Sequence, residues 1–335
     1  MTRTTLHIGT TKTGSSSIQQ FLATNRDALQ RQGVLYSKAL GKVSHNVIPV
    51  ASKGRLASTD HQRMFKITTE NEYRTFVAER RKRLTREIDR AQPGHILISS
   101  EHMHSRCFTA AHFSGLKTLL APALEGRDLQ ILVYLRPQIE HAISLYSTML
   151  AHGLNQDIDS FIEDRMFGPK RRYHDFRKLI RIWQRAFPQA TMTVRAFDAV
   201  KTLPEGVISD FTQVTGLDAD GLEYLPRVNE SLDAWSAEAL RRLNAMMPPL
   251  PGGDIKKVRN WLRGHGRRGR LLPDPALSRR FQESFAAEND WVMARFLADV
   301  PDALEPNWER LTVATPRPEI SEGELRGIVD QAMAQ

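Results

Sequence analysis

Six consecutive residues, Lys12-Thr13-Gly14-Ser15-Ser16-Ser17, combine one mobile cation, one glycine and a run of hydroxyls. Placed between a strand and a helix, such a loop turns successive backbone N–H groups toward one point, where the helix N-terminus adds partial positive charge. That is the chemistry of anion binding. A second group lies at Arg136, directly after the apolar run Ile131–Leu135, with Ser144 eight residues on. A planar guanidinium at a strand end suits a phosphate, and a hydroxyl within reach adds a donor. A third group is Glu101-His102, which follows the apolar run 95–99. Either side chain could take a proton, and the ordinary pKa of imidazole near 6.5 suits transfer at neutrality. His45 is a further candidate.

The elements that must hold these groups alternate. Residues 5–8 read as a strand, 9–14 as a loop, and 15–32 as an amphipathic helix with Ile18, Phe21, Leu22 and Leu29 on one face. Gly33 closes that helix ahead of a short strand at 34–36, and 37–69 shows no clear period. A charged helix over 70–91, a strand over 95–99, a helix over 110–124 and a strand over 129–135 follow. Helices to residue 152 and over 173–187, a strand over 191–197 and a helix over 205–215 continue the pattern, and the chain is helix-rich from 229. This alternation predicts an α/β fold: a mostly parallel central sheet flanked by helices, with ligands gathered at the carboxyl ends of its strands. Length alone allows about two domains. The continuous pattern favours one over 1–335, with a core over about 4–225 and a helical C-terminal part over about 226–335.

Gly9 and Gly14 stand as far apart as the glycines of a Walker A loop, but Ser15 follows Gly14 and the lysine precedes it by two residues. The order Lys12-Thr13-Gly14-Ser15-Ser16 instead resembles the 5′-phosphosulfate loop of sulfotransferases. The stretch His7-Ile8-Gly9 through Ile18-Gln19, Phe21-Leu22 and Asn25-Arg26 is similar to the opening of the bacterial members. Arg136 and Ser144 match that family's strand-end Arg and following Ser, and Arg227-Val228-Asn229-Glu230-Ser231-Leu232 resembles a third segment. The resemblance implies a P-loop-like sulfotransferase fold. It also implies transfer of a sulfuryl group from 3′-phosphoadenosine 5′-phosphosulfate (PAPS) to a hydroxyl or amine, with adenosine 3′,5′-bisphosphate as product and no metal. Lys12, Thr13, Gly14, Ser15, Ser16 and Ser17 would hold the 5′ end, and Arg136 and Ser144 the 3′-phosphate. Arg227 and Ser231 would close over the nucleotide, or Ser231 would cap the helix that follows. Lys12 is expected at the leaving group, with Glu101 as the first choice of base, His102 the second and His45 the third.

The balance of the chain is a formal +9 with a pI near 9.8, which implies anionic partners. Seven of the cations lie over 256–270, with no acid among them. Together with Arg80–Arg83 and Lys170–Arg172 they read as solvated faces that steer an anionic donor. An anionic glycan or a lipid headgroup at a membrane surface is the alternative. A carbohydrate, glycolipid or small-molecule acceptor is expected, and no nucleic acid, since no nucleic-acid-binding signature accompanies the charge. A P-loop kinase is the enzymatic rival and a polyanion-binding protein the non-enzymatic one. No stretch approaches the length of a membrane span, no export signal is visible, and Cys107 has no partner cysteine. A cytoplasmic protein is expected, and nothing in the sequence fixes its oligomeric state.

Overall fold

In the computed structural model the chain is described over residues 2–225, 232–246, 252–266, 269–312 and 317–334, with 252 and 253 described by their backbone alone. The first stretch runs β1 (Arg3–His7), α1 (Ser15–Thr24), α2 (Arg26–Arg31), β2 (Val34–Tyr36), α3 (Val47–Ala51), α4 (Asp60–Met64) and α5 (Glu70–Ala91). It continues through β3 (His95–Ser99), α6 (His102–Arg106), α7 (Ala110–Leu124) and β4 (Asp128–Leu135). Beyond it come α8 (Gln138–Leu150), α9 (Ile158–Met166), a 3-10 helix (Gly168–Tyr173), α10 (Phe176–Ala186), β5 (Thr191–Ala196), α11 (Phe197–Val200) and α12 (Val207–Thr215). The remainder is helical: α13 (Ala234–Met246), α14 (Gly252–Gly264), α15 (Pro275–Glu283), α16 (Ala286–Phe296), α17 (Trp308–Leu311) and α18 (Glu322–Met333).

The chain divides into two compact units. One comprises residues 1–136, 176–227 and 290–303; the other comprises 137–175, 228–289 and 304–335. The first is built on one five-stranded sheet, order β2-β3-β1-β4-β5, with every pairing parallel. The α/β architecture with flanking helices is therefore as expected. Apolar runs buried on both faces form β2, most of β3 and the end of β4, as a sheet covered by helices requires, whereas β1 buries Thr4, Thr5 and His7 and β5 is only partly buried. Ile18, Phe21, Leu22, Leu132, Tyr134, Val207 and Phe211 form one buried layer, while Phe113 of α7 meets Trp183 of α10 edge to face, with ring centroids 5.0 Å apart.

Local chemistry sets the element ends. Thr69 starts α5 with a capping box, its hydroxyl accepting from Glu72 N while the Glu72 carboxylate accepts from Thr69 N. The helix expected over 15–32 is two helices. Asn25 separates them, because its side chain accepts from Glu223 N at 2.7 Å and donates to Glu223 O at 2.8 Å. That tie lies 198 residues away in sequence and outweighs a continuous helical pattern. The aperiodic stretch 37–69 contains the short helices α3 and α4.

The second unit is helical. Its core joins Tyr146, Phe161, Trp235, Leu240, Val258, Phe281 and Leu325 from α8, α9, α13, α14, α15 and α18. Within it Gln282 Nε2 donates to Gln138 Oε1 at 3.0 Å, and the buried rings of His141 and His174 share a hydrogen bond between their Nδ1 atoms at 3.0 Å. Among the described residues no helix is long and apolar enough to cross a membrane.

Candidate functional site

The loop after β1 begins and ends in left-handed backbone. Gly9 has φ 57° and Gly14 has φ 79°. At Gly9 a Cβ would lie 2.8 Å from Ser15 Oγ and 3.0 Å from Glu101 Cα, and at Gly14 it would lie 2.6 Å from Val207 Cγ1. Both positions therefore need glycine for space as well as for conformation. Lys12 itself adopts φ 69°, a conformation that costs a non-glycine residue about 1–2 kcal/mol and that its surroundings must hold.

Hydroxyls pin the loop from beneath. Thr10 Oγ1 donates to the Tyr134 carbonyl of β4 at 2.8 Å, Thr13 Oγ1 to Thr10 O at 2.8 Å, and Ser15 Oγ to Thr10 O at 3.3 Å. Thr13 and Ser15 thus shape the loop, whereas Ser16 is exposed and Ser17 half-buried. No side chain caps α1, and its first intrahelical bond runs from Ile18 N to Gly14 O at 3.1 Å. The amides of Ser15, Ser16 and Ser17 precede that bond, which is the arrangement that attracts an anion.

Arg136 comes to the same loop from β4. Its Nη1 donates to the Lys12 carbonyl at 3.4 Å, its Nε lies 3.5 Å from Asp198 Oδ2, and its guanidinium carbon stands 5.4 Å from the centroid of the Phe197 ring. Asp198 is shared with Lys201. Arg136 is therefore oriented by an acid and an aromatic face that follow β5. Ser144 is half-buried on α8, in the second unit. Arg227 and Ser231 lie outside the described residues.

After β3 the chain turns at once. Glu101 has helical backbone (φ −64°, ψ −17°) and opens α6, so Glu101 and His102 do not point to opposite sides as neighbours on a strand would. Their side chains converge instead, with His102 Nε2 3.9 Å from Glu101 Oε1. Gln19 of α1 donates to Glu101 Oε2 at 2.7 Å, and His61 of α4 shares a hydrogen bond with His102, Nε2 to Nε2, at 3.1 Å. Burial pushes the pKa of His102 down, partly opposed by the Glu101 charge and reinforced by Arg106. Burial, His102 and Arg106 bring His61 down to about 4.

His45 is buried and stacked on Tyr36 at 4.4 Å. Its Nδ1 accepts from Ser99 N at 3.3 Å and its Nε2 bonds Ser37 O at 3.1 Å, so both ring nitrogens bind backbone. Burial lowers its pKa to about 3. His45 secures the end of β3. His7 does the same for β1, its Nδ1 bonded to Ser99 Oγ at 2.8 Å.

No protein-family model matches this chain, and no solved structure matches it. An uncharacterized protein of Archaeoglobus fulgidus is 32% identical over 151 residues, which is 44% of this chain and 40% of that protein. The chain thus spans less than half the length of that relative.

Three strand ends supply the site: β1 the uncapped loop, β3 the acid and imidazole, and β4 the arginine. The strand-end rule that marks these three in the sequence points equally, at the end of β5, to Phe197 and Asp198. His61 and Gln19 had no such signal. One lies in an aperiodic stretch, the other inside a helical pattern where it reads as an ordinary polar residue.

Proposed function

We propose that the chain is a PAPS-dependent sulfotransferase of P-loop-like type, acting on a hydroxyl or amine of a carbohydrate, glycolipid or small molecule. One observation carries the reading. A glycine-bounded loop with an uncapped helix start is hydrogen-bonded to an arginine from the neighbouring strand, and Glu101 follows β3 so close to the loop that a Cβ on its first glycine would lie 3.0 Å from Glu101 Cα.

The loop amides, Ser16, Ser17 and Lys12 suit the 5′-phosphosulfate. Thr13 and Ser15 keep the loop in shape. Arg136 suits the 3′-phosphate, which would take the place of Asp198 as its anionic partner. In the transfer, a bond forms from the acceptor oxygen to sulfur while the bond from sulfur to the 5′-phosphate oxygen breaks. The electron pair of the broken bond stays on the phosphate, where Lys12 stabilises it, and the acceptor proton passes to Glu101. Positioning by the loop and charge stabilisation by Lys12 are the main demands of such a displacement.

Thermal melting tests the reading. Adenosine 3′,5′-bisphosphate without Mg²⁺ is expected to raise the melting temperature by several degrees at saturating concentration. A shift seen only with ATP and Mg²⁺ would reject the assignment in favour of a kinase.

A further inference from the structure

The His61–His102 pair decides which group can take a proton. Two imidazole nitrogens 3.1 Å apart need one proton between them: two N–H groups repel, and so do two lone pairs. His61 Nδ1 is buried and has no hydrogen-bond partner. A proton there would leave a buried donor unsatisfied, which native structures avoid more strictly than a buried lone pair. The proton of His61 therefore belongs on Nε2, donated to His102 Nε2, and the proton of His102 belongs on Nδ1. The His102 side chain is 21% exposed, and its Nδ1 is not a buried nitrogen left without a partner as His61 Nδ1 is.

We propose that His61 is a positioning residue that locks His102 in its Nδ1–H form, occupies His102 Nε2, and so leaves Glu101 to receive the acceptor's proton. With Nε2 occupied and Nδ1 protonated, His102 has no lone pair to offer. Glu101 has one: Gln19 holds Oε2, while Oε1 lies 3.9 Å from His102 Nε2, beyond hydrogen-bond range, in a side chain that is 24% exposed. The charged groups facing His61 are Arg106, Asp60 and Glu101, and its titratable neighbour is His102. Burial lowers the pKa of both rings, which keeps the pair neutral at pH 7 and the lock closed. The Glu101 half of the proposal rests on the transfer reading above, and the tautomer half does not.

Long-range ¹H–¹⁵N spectra of the histidine-labelled full chain read the tautomers directly, with His61 and His102 assigned by the signals lost in His61→Gln and His102→Gln. Protonated Nε2 on His61 and protonated Nδ1 on His102 are expected. A protonated Nε2 on His102 in the parent chain would overturn the lock without need of any further variant. His61→Gln, which retains a donor, should keep His102 in the Nδ1–H form, and His61→Met should release it; an unchanged His102 in His61→Met also overturns the lock. Glu101→Gln should lower kcat by about 100-fold or more with KM little changed. Retained turnover in that variant removes Glu101 from the proton transfer while the tautomer result stands. A parent chain that transfers no sulfuryl group removes the transfer reading and the Glu101 half together, again without touching the spectra.

Discussion

Lys12 holds an unfavourable backbone conformation at the point where the loop turns into α1, and its carbonyl anchors Arg136. Alanine at this position keeps the carbonyl and adds no bulk. Lys12→Ala is therefore expected to fold with a melting temperature close to that of the parent and to lose transfer by about 100-fold or more, measured with labelled PAPS. Arg136 carries a different burden. Arg136→Ala should weaken adenosine 3′,5′-bisphosphate about tenfold or more and leave a nucleotide lacking the 3′-phosphate nearly unaffected, as read by calorimetry. An equal loss for both ligands rejects the 3′-phosphate role. At this scale the sequence was legible wherever a motif is local: Lys12 and Gly14 stand in one loop, and Arg136 directly follows the apolar run of β4. It was not legible where the partner comes from afar. Asp198 beside Arg136, Gln19 on Glu101 and His61 on His102 are pairings made by the fold over 62, 82 and 41 residues.

Among the elements, the strands were the most legible, because a parallel sheet covered on both faces demands continuous apolar runs such as Ile131–Leu135. The helix over 70–91 was equally plain, with its apolar stripe of Tyr73, Val77, Leu84 and Ile88. What escaped were breaks imposed by tertiary hydrogen bonds. Asn25 divides a pattern that reads as one helix, and Glu101 turns the chain immediately after β3. The junction between the loop and α1 yields a prediction of its own. At Gly14 a Cβ meets Val207 and also requires a left-handed L residue. Gly14→Ala should lower stability by about 1–3 kcal/mol in urea unfolding. Trimming Val207 in the double variant Gly14→Ala, Val207→Ala relieves the clash, but it also opens a cavity and leaves the backbone strain in place. A double-mutant cycle should therefore show a favourable coupling term without full recovery.

At the level of the whole molecule, several histidines are buried as neutral rings. Burial depresses His7 to about 4, His45 to about 3 and His95 to about 3. Unfolding restores each to about 6.5, so below that pH the unfolded chain binds protons that the folded chain refuses. Stability from these groups is complete above about pH 7 and falls as pH drops toward 4. The urea midpoint at pH 5 should lie below that at pH 7.5, and His45→Gln should flatten this difference if the variant folds. A pH-independent midpoint over that range would show that these rings titrate normally.

The chain passes five times between its two compact units, at 136, 175, 227, 289 and 303. The partner of β4 on its outer side, β5, begins 56 residues after β4 ends. During synthesis at roughly 5–20 residues per second, that edge waits about 3–11 s for its hydrogen bonds. The first residues made in the interval, 137–175, belong to the helical unit, most of which comes only after 228. A nascent chain of this protein therefore carries an apolar open sheet edge and an incomplete helical core at the same moment. Its yield in a cell should depend on how fast the ribosome crosses residues 137–190, and on the chaperones that meet it there.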